Sequence, residues 1–282
     1  MPVIDTATRA DWPALKTIWQ ACFGDESSYI DLFLEDLFDS CIPLVWRQEG
    51  QPVAMLYLLP VQLVHTGQAQ SWHYLYAAAT LPSCQGRGLM GQLLKAARQS
   101  SAQAGAAGIL LVPGEKSLFQ YYARFGYATY GARRQLCLAA AELSGPAAVL
   151  SPLPPPQLAA CRRQALAGLG LSYMAHSPAG YRHICREAAY LGGGAYRFNG
   201  GHCIVHRDGD TALVKELDAA DTATAAAALR AVCGLLGTAR LLLTLPPPGP
   251  LFAGRGQVLP AAMSLPPQGP SAPPAFIDLV LD

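Results

Sequence analysis

The residues best suited to chemistry lie between positions 74 and 97, where YLYAAATLP runs into SCQGRGLMGQLLKAA. Gly86 and Gly88 stand just ahead of a helical pattern that starts near Leu89. Glycines so placed let successive backbone N–H groups point inward without a Cβ in the way, and the helix start adds partial positive charge. The segment Gln85-Gly86-Arg87-Gly88-Leu89-Met90 is therefore predicted to cradle a pyrophosphate, with Arg87 as a further charge.

Two kinds of protein use such a cradle. Gly86-Arg87-Gly88-Leu89-Met90-Gly91 fits the dinucleotide fingerprint G-x-G-x-x-G, and Glu115 follows about 24 residues later, near where an acidic ribose ligand is expected. That reading gives an NAD(P)-binding oxidoreductase. Against it, Pro82-Ser83-Cys84-Gln85 separate the strand from the first glycine, and an antiparallel meander, not a parallel βαβ, is predicted before the loop. The other reading fits more residues. Thr80-Leu81-Pro82-Ser83-Cys84-Gln85-Gly86-Arg87-Gly88-Leu89-Met90 resembles the Q/R-x-x-G-x-G/A loop of the GCN5-related N-acetyltransferase (GNAT) superfamily, with Met90 at the Gly/Ala position. Downstream, Tyr121-Tyr122-Ala123-Arg124-Phe125-Gly126-Tyr127 resembles that family's helix ending "fYeklGF". The spacing suits helix, strand, helix, and the resemblance spans roughly residues 3–140.

The resemblance implies a mixed, mostly antiparallel sheet with flanking helices, and acetyl-CoA as co-substrate with no metal. It implies that the fourth and fifth strands splay at a bulge, so that backbone groups near Ala79, Thr80 and Leu81 pair with the pantetheine arm. The pyrophosphate then sits on Gln85, Gly86, Arg87, Gly88, Leu89 and Met90. A primary amine attacks the thioester directly in a ternary complex, and Tyr122 is the residue aligned with protonation of the leaving thiolate. A lysine-like amine with a pKa near 10.4 costs about 4.6 kcal/mol to neutralise at pH 7, so a base or a desolvated site must help. The alternative within the same resemblance is a coenzyme A-binding regulatory protein without acceptor chemistry.

Other candidates are weaker. Glu115 reads as a solvated loop carboxylate, and His73 as a half-buried, hydrogen-bonded histidine. No carboxylate occupies Tyr74 to Thr80, so the base is unassigned. His202 and His206 share a strand face but lie about 13 Å apart, too far for one ion with Cys203. Tyr173, His176 and Tyr196 are polar aromatics for which ordinary packing is the simplest expectation.

The elements that must position these residues follow from periodicity. Helices are predicted behind an Asp11 cap with Pro13 in the first turn, from Tyr29 to Phe38, from Leu89 to Ala104 and from Ser117 to Phe125. Strands are predicted at Leu44–Trp46, Val53–Leu59, Val61–Val64, Ser71–Thr80 and Ile109–Val112, then around Tyr127 and over Gln135–Ala139. Proline density in SGPAAVLSPLPPPQ places a linker over 144–157, between an acetyl-CoA-binding domain at 1–143 and a second, smaller α/β domain at 158–282. There, helices at Gln157–Gly168 and Ser177–Tyr190, a hairpin about Asp208-Gly209, a helix at Thr222–Leu236 and strands Arg240–Leu245 and Phe276–Leu281 repeat the earlier order. That domain is predicted to be a degenerate GNAT-like fold without cofactor. Asp218 and Asp221 stand at its crossover, and a carboxylate 4 Å from a phosphate charge costs about 4 kcal/mol at an effective dielectric of 20.

Composition bounds the partners. Apolar residues make up 51% of the 282 positions and charged ones only 14%, enough for large cores. A formal charge of +1 with no Lys/Arg run argues against nucleic acid and against a membrane surface. The expected partner is an amine acceptor, either a small molecule or a peptide, and a homodimer is left open. Eight cysteines without a C-x-x-C pair read as thiols in a reducing compartment. The opening MPVIDTATRADW has neither the basic nor the apolar region of a signal peptide, and Val53–Leu59 is far too short to span a bilayer. The expected location is the cytoplasm.

Overall fold

The structure, a computed structural model of the chain, describes residues 3–247, 249–268, 275–278 and 281. Its first elements are β1 (Val3–Thr6), α1 (Trp12–Phe23) and α2 (Ser27–Leu37). Leu15, Ile18 and Trp19 recur at helical spacing on α1 and are all buried, and left-handed Gly24 ends the helix by donating its N–H to Gln20. Asp11 does not cap α1 with its side chain. Its carboxylate takes the Arg47 guanidinium at 2.7 and 2.9 Å and the Thr8 N–H at 2.8 Å, because a bidentate ion pair outweighs a single cap.

Next come β2 (Ile42–Gln48), β3 (Gln51–His65) and β4 (Gln68–Thr80). The two strands predicted at 53–59 and 61–64 are one continuous β3. Pro60 is tolerated inside it because the last β2 pair is Ile42 with Leu58, so the missing N–H breaks no ladder bond to β2. α3 (Leu89–Gln103), β5 (Ile109–Leu111) and α4 (Lys116–Ala123) follow, then β6 (Ala128–Ala139). β6 is also continuous where two strands were predicted, passing through Gly131 at φ +80. The predicted linker holds β7 (Ser151–Pro152) and the start of α5 (Pro155–Ala167), whose prolines occupy the first turn, where no N–H is needed. The remainder is β8 (Ser172–His176), α6 (Pro178–Tyr190), β9 (Gly194–Phe198), β10 (Gly201–Asp208), β11 (Thr211–Ala219), α7 (Thr222–Leu236), β12 (Arg240–Leu245), β13 (Gln257–Leu265) and β14 (Ala275–Phe276). The expected terminal strand is seen only as β14. Residues 279 and 280 of that expectation lie outside the described residues.

The chain divides into two units, and not at 143. The first holds the described residues of Met1–Leu63, Ala69–Tyr130 and Ala262–Ala272; the second holds those of Val64–Gln68, Gly131–Ala261 and Pro273–Asp282. The first unit's sheet runs β1-β2-β3-β4-β5-β13. β4 and β5 are parallel through the α3 crossover, and Met263–Leu265 of β13 pair antiparallel with β5. Leu93, Leu94 and Ala97 of α3 pack on Leu56, Leu75, Ile109, Leu111 and Met263 to form its core. The fit is close: a Cβ on Gly108 would lie 2.5 Å from the Trp72 ring and 2.6 Å from the Leu265 carbonyl oxygen.

The second unit's sheet runs β6-β12-β11-β10-β9-β7, with β14 parallel to β8. β11 and β12 are parallel through the α7 crossover, and β7, β9, β10 and β11 are antiparallel neighbours. Both units thus share one order: a short edge strand, two helices, a three-strand meander, a crossover helix and a parallel strand. β8 is the addition in the second. Among the described residues, no helix is long and apolar enough to cross a membrane.

Candidate active site

A groove of about 770 Å³ opens in the first unit where β4 and β5 part. The strands pair only over His73–Leu75 with Ile109–Leu111, and β4 then runs on to Thr80. The cause is visible in the backbone. His73 donates its N–H to Gly108, on the β5 side, whereas Leu81 donates to Val53, on the β3 side. Eight residues apart on a regular strand, both would point the same way. Ala77, a non-glycine at φ +48, supplies the one-residue offset, as a β-bulge does.

This offset corrects which backbone groups face the gap. Leu81 is turned to β3, and Ala79 shares its side by alternation; Ala79 and Leu81 do not line the groove. Ala78 and Thr80 line it instead. The Thr80 carbonyl already accepts from the Cys22 thiol at 3.3 Å and from Gln85 Nε2 at 3.0 Å, which leaves Ala78 as the most open backbone position.

The groove ends at the predicted cradle. A short helical turn at Pro82–Cys84 leads to Gly86 at φ +75 and Gly88 at φ +74, both in the left-handed region that glycine adopts without strain. Nothing lies within 4 Å of a Cβ built on either glycine, so the space before the loop is open. Gly88 caps α3, whose first N–H groups have no acceptor within the helix and point into that space. Gln85, Gly86, Gly88, Leu89 and Met90 all line the groove. Arg87 does not: its guanidinium donates back to the Ser83 carbonyl at 2.9 Å. Met90 also packs against the core cluster, so its side chain is held on the protein side of the loop. Gly91 has its own reason, because a Cβ there would meet the Phe125 ring at 2.9 Å.

α4 supplies the opposite wall through Leu118, Tyr121, Tyr122, Arg124 and Phe125. Tyr122 is only 8% exposed, its ring 5.4 Å from Tyr121 and 5.9 Å from Tyr127. Burial, and next the neighbouring Tyr121, push its hydroxyl up to about 12, so it is a proton donor throughout the neutral range. Tyr122 and the glycine loop thus line one groove. The residues lining that groove include no carboxylate and no histidine.

The lesser candidates fall elsewhere. His73 is buried, hydrogen-bonded to Ser101 at 2.9 Å, and its pKa is lowered by burial. Glu115 precedes α4 and accepts from the Ser117 hydroxyl, outside the groove. His202 bonds Glu216 at 2.7 Å, and the buried Arg162 pairs with both Glu216 and Asp278. Desolvation raises the Asp278 carboxyl, and the Arg162 guanidinium holds Glu216 ionised despite its burial. This network, which motif reading missed, lines a cavity of about 50 Å³ beyond the β11–β12 pairing, where the first unit has its groove. The second unit's crossover helix is capped from within, Asp221 accepting the Thr224 N–H at 2.7 Å.

The case against the dinucleotide reading holds before the loop and not after it. The turn at Pro82–Cys84 separates strand from glycine and the β2-β3-β4 order ahead of it is a meander, as expected, whereas β4-α3-β5 is by itself a parallel βαβ unit.

Residues 3–130 match the family model of the acetyltransferase (GNAT) domain. No curated protein sequence matches the chain. Among solved structures, the chain is similar to a GCN5-related N-acetyltransferase from Kribbella flavida (18% identity, TM-score 0.71, 94% of this chain and 71% of that one). It is also similar to a GCN5-related N-acetyltransferase from Anabaena variabilis (15%, 0.73, 94% and 72%) and to Eis1 from Mycobacterium abscessus (16%, 0.65, 94% and 73%). At these identities the likeness is one of fold, and it extends over both units. Residues 3–130, with the glycine loop at the head of α3 and Tyr122 on α4, are therefore a GNAT acetyltransferase domain.

Proposed function

We propose that the protein transfers the acetyl group of acetyl-CoA to a primary amine. The observation that carries this is the convergence, in one groove, of a strand edge left open by the Ala77 bulge, a glycine-ended helix start and the buried Tyr122 hydroxyl. The thioester arm lies along β4 against Ala78, the pyrophosphate on the N–H groups from Gly86 to Met90, and the thioester sulfur toward Tyr122. The neutral amine attacks the carbonyl carbon, the C–N bond forms, the nitrogen gives up its extra proton to solvent, the C–S bond breaks, and the thiolate takes the Tyr122 proton, which solvent restores. No base is assigned. The second unit, with its phosphate position closed by Asp221 and its cleft narrowed to about 50 Å³ beside the Arg162 network, binds no cofactor in this reading.

A second reading, a coenzyme A-binding regulator without acceptor chemistry, draws on the absence of a carboxylate or histidine among the groove residues. Release of coenzyme A thiol across a panel of polyamines, aminoglycosides, peptides and lysine separates the two. Binding of acetyl-CoA with no amine-dependent release favours the regulator. A parallel thermal-shift comparison with NAD tests the cofactor, since cognate ligand at 100 times its Kd adds about 2.7 kcal/mol.

A further inference from the structure

The charge of the groove goes beyond what a pyrophosphate at a helix start requires. Its lining carries two cations, Lys95 on α3 and Arg124 at the end of α4, and no anion, in a chain whose formal charge is only +1. Among the described residues neither cation has a carboxylate within ion-pair distance, whereas Arg9, Lys16, Arg47 and Arg162 all do. Arg124 stacks its guanidinium 5.0 Å from the Tyr121 ring, which fixes it on the groove wall without neutralising it.

Their position is set by helix geometry. Gly88, Gly91, Gln92 and Lys95 all line the groove and recur at three- and four-residue spacing, so they form one stripe of α3. Seven residues at about 1.5 Å each put the Lys95 backbone roughly 10 Å along the axis from Gly88. Side chains lean toward the helix N-terminus, which carries the ammonium back toward the loop and leaves about one sugar's width between it and the pyrophosphate position.

We propose that Lys95 and Arg124 form a second phosphate subsite, which takes the ribose 3′-phosphate of coenzyme A and makes the protein select coenzyme A over 3′-dephospho-coenzyme A. This rests on the reading of the groove as the coenzyme A site. A phosphomonoester carries close to two charges at pH 7, twice that of a diester link, so two unpaired cations suit it better than they suit the rest of the cofactor.

The test is calorimetric titration of the full chain with coenzyme A and with 3′-dephospho-coenzyme A, for the wild type and Lys95→Met/Arg124→Gln, with melting curves to show that the variant folds. The wild type is expected to favour coenzyme A about tenfold, as two charge-assisted contacts at a half-open site provide. The double variant should bind both forms within about twofold, with its affinity for the dephospho form unchanged, and raised salt should shrink the wild-type ratio. Arg124→Lys should keep most of the preference. Equal binding of both forms by the wild type, or a preference that survives the double substitution, overturns the subsite while leaving the groove assignment intact. No binding of either form overturns both.

Discussion

In the proposed reaction Gly88 and Tyr122 divide the labour at the groove, one holding the cofactor and one serving the chemical step, and substitutions should separate the two. At φ +74 with open space before it, Gly88 can carry a side chain only at the cost of backbone strain and of whatever occupies that space. Gly88→Glu puts a carboxylate where the pyrophosphate is expected. Calorimetry should show acetyl-CoA binding abolished in a protein that still melts cooperatively; wild-type affinity would mean that the loop is not the phosphate site. Tyr122→Phe keeps the ring contacts with Tyr121 and Tyr127 but removes the proton, so kcat should fall about 10²-fold with little change in acetyl-CoA affinity. The pH profile makes a separate demand. A hydroxyl pushed up to about 12 stays protonated as pH rises through neutral, so Tyr122 contributes no alkaline decline in kcat at pH 8 to about 10. A decline there that disappears in Tyr122→Phe would contradict the assignment.

At the scale of elements, the Asp11–Arg47 pair links the start of α1 to β2, and so steadies the helix whose last turn brings Cys22 to the Thr80 carbonyl. The Arg47 guanidinium holds the Asp11 carboxyl down at about 2, from an ordinary 3.8. A depressed carboxyl pKa stabilises the fold above the unfolded value and stops doing so as pH falls through the folded one. Asp11→Asn should therefore cost about 1 kcal/mol at pH 7, allowing for solvent screening, with the urea midpoints converging as pH drops from about 5 toward 2. A gap that ignores pH would assign the effect to something other than ionisation. The helices were legible in advance because a 3.6-residue period and a cap such as Ser177, which accepts the Gly180 N–H at 3.1 Å, are local signals. The strands were less so. Pro60 and Gly131 look like breaks, yet β3 and β6 pass through them, since what a strand tolerates depends on which neighbours it has at that point.

For the whole molecule, the discontinuous first unit carries the strongest prediction. Residues 1–143 include the loop, α4 and Tyr122, and the proline density made that stretch look self-sufficient. Its sheet nonetheless borrows β13, whose Met263, Ser264 and Leu265 are buried beside β5. Losing two such apolar side chains removes about 1.5–3 kcal/mol each and bares an edge. A 1–143 fragment should aggregate or lack a cooperative melt, and co-expression of 144–282 should restore acetyl-CoA binding. A monomeric fragment that melts and binds like the full chain would show the borrowed strand to be dispensable. The loop Gln85 to Met90, the Tyr122 helix, the likeness to GNAT proteins and the repeated element order were all determined by the sequence alone. Each rests on residues adjacent along the chain, where glycine spacing, caps and periodicity act directly. Only the tertiary structure decided that Ala77 shifts the strand so that Ala78 and not Ala79 faces the gap, that a strand from beyond residue 257 completes the first sheet, and that Lys95 and Arg124 share a groove. Those outcomes depend on pairing between distant segments, and no local pattern in a chain of alternating apolar residues encodes which partner, or which register, will be met.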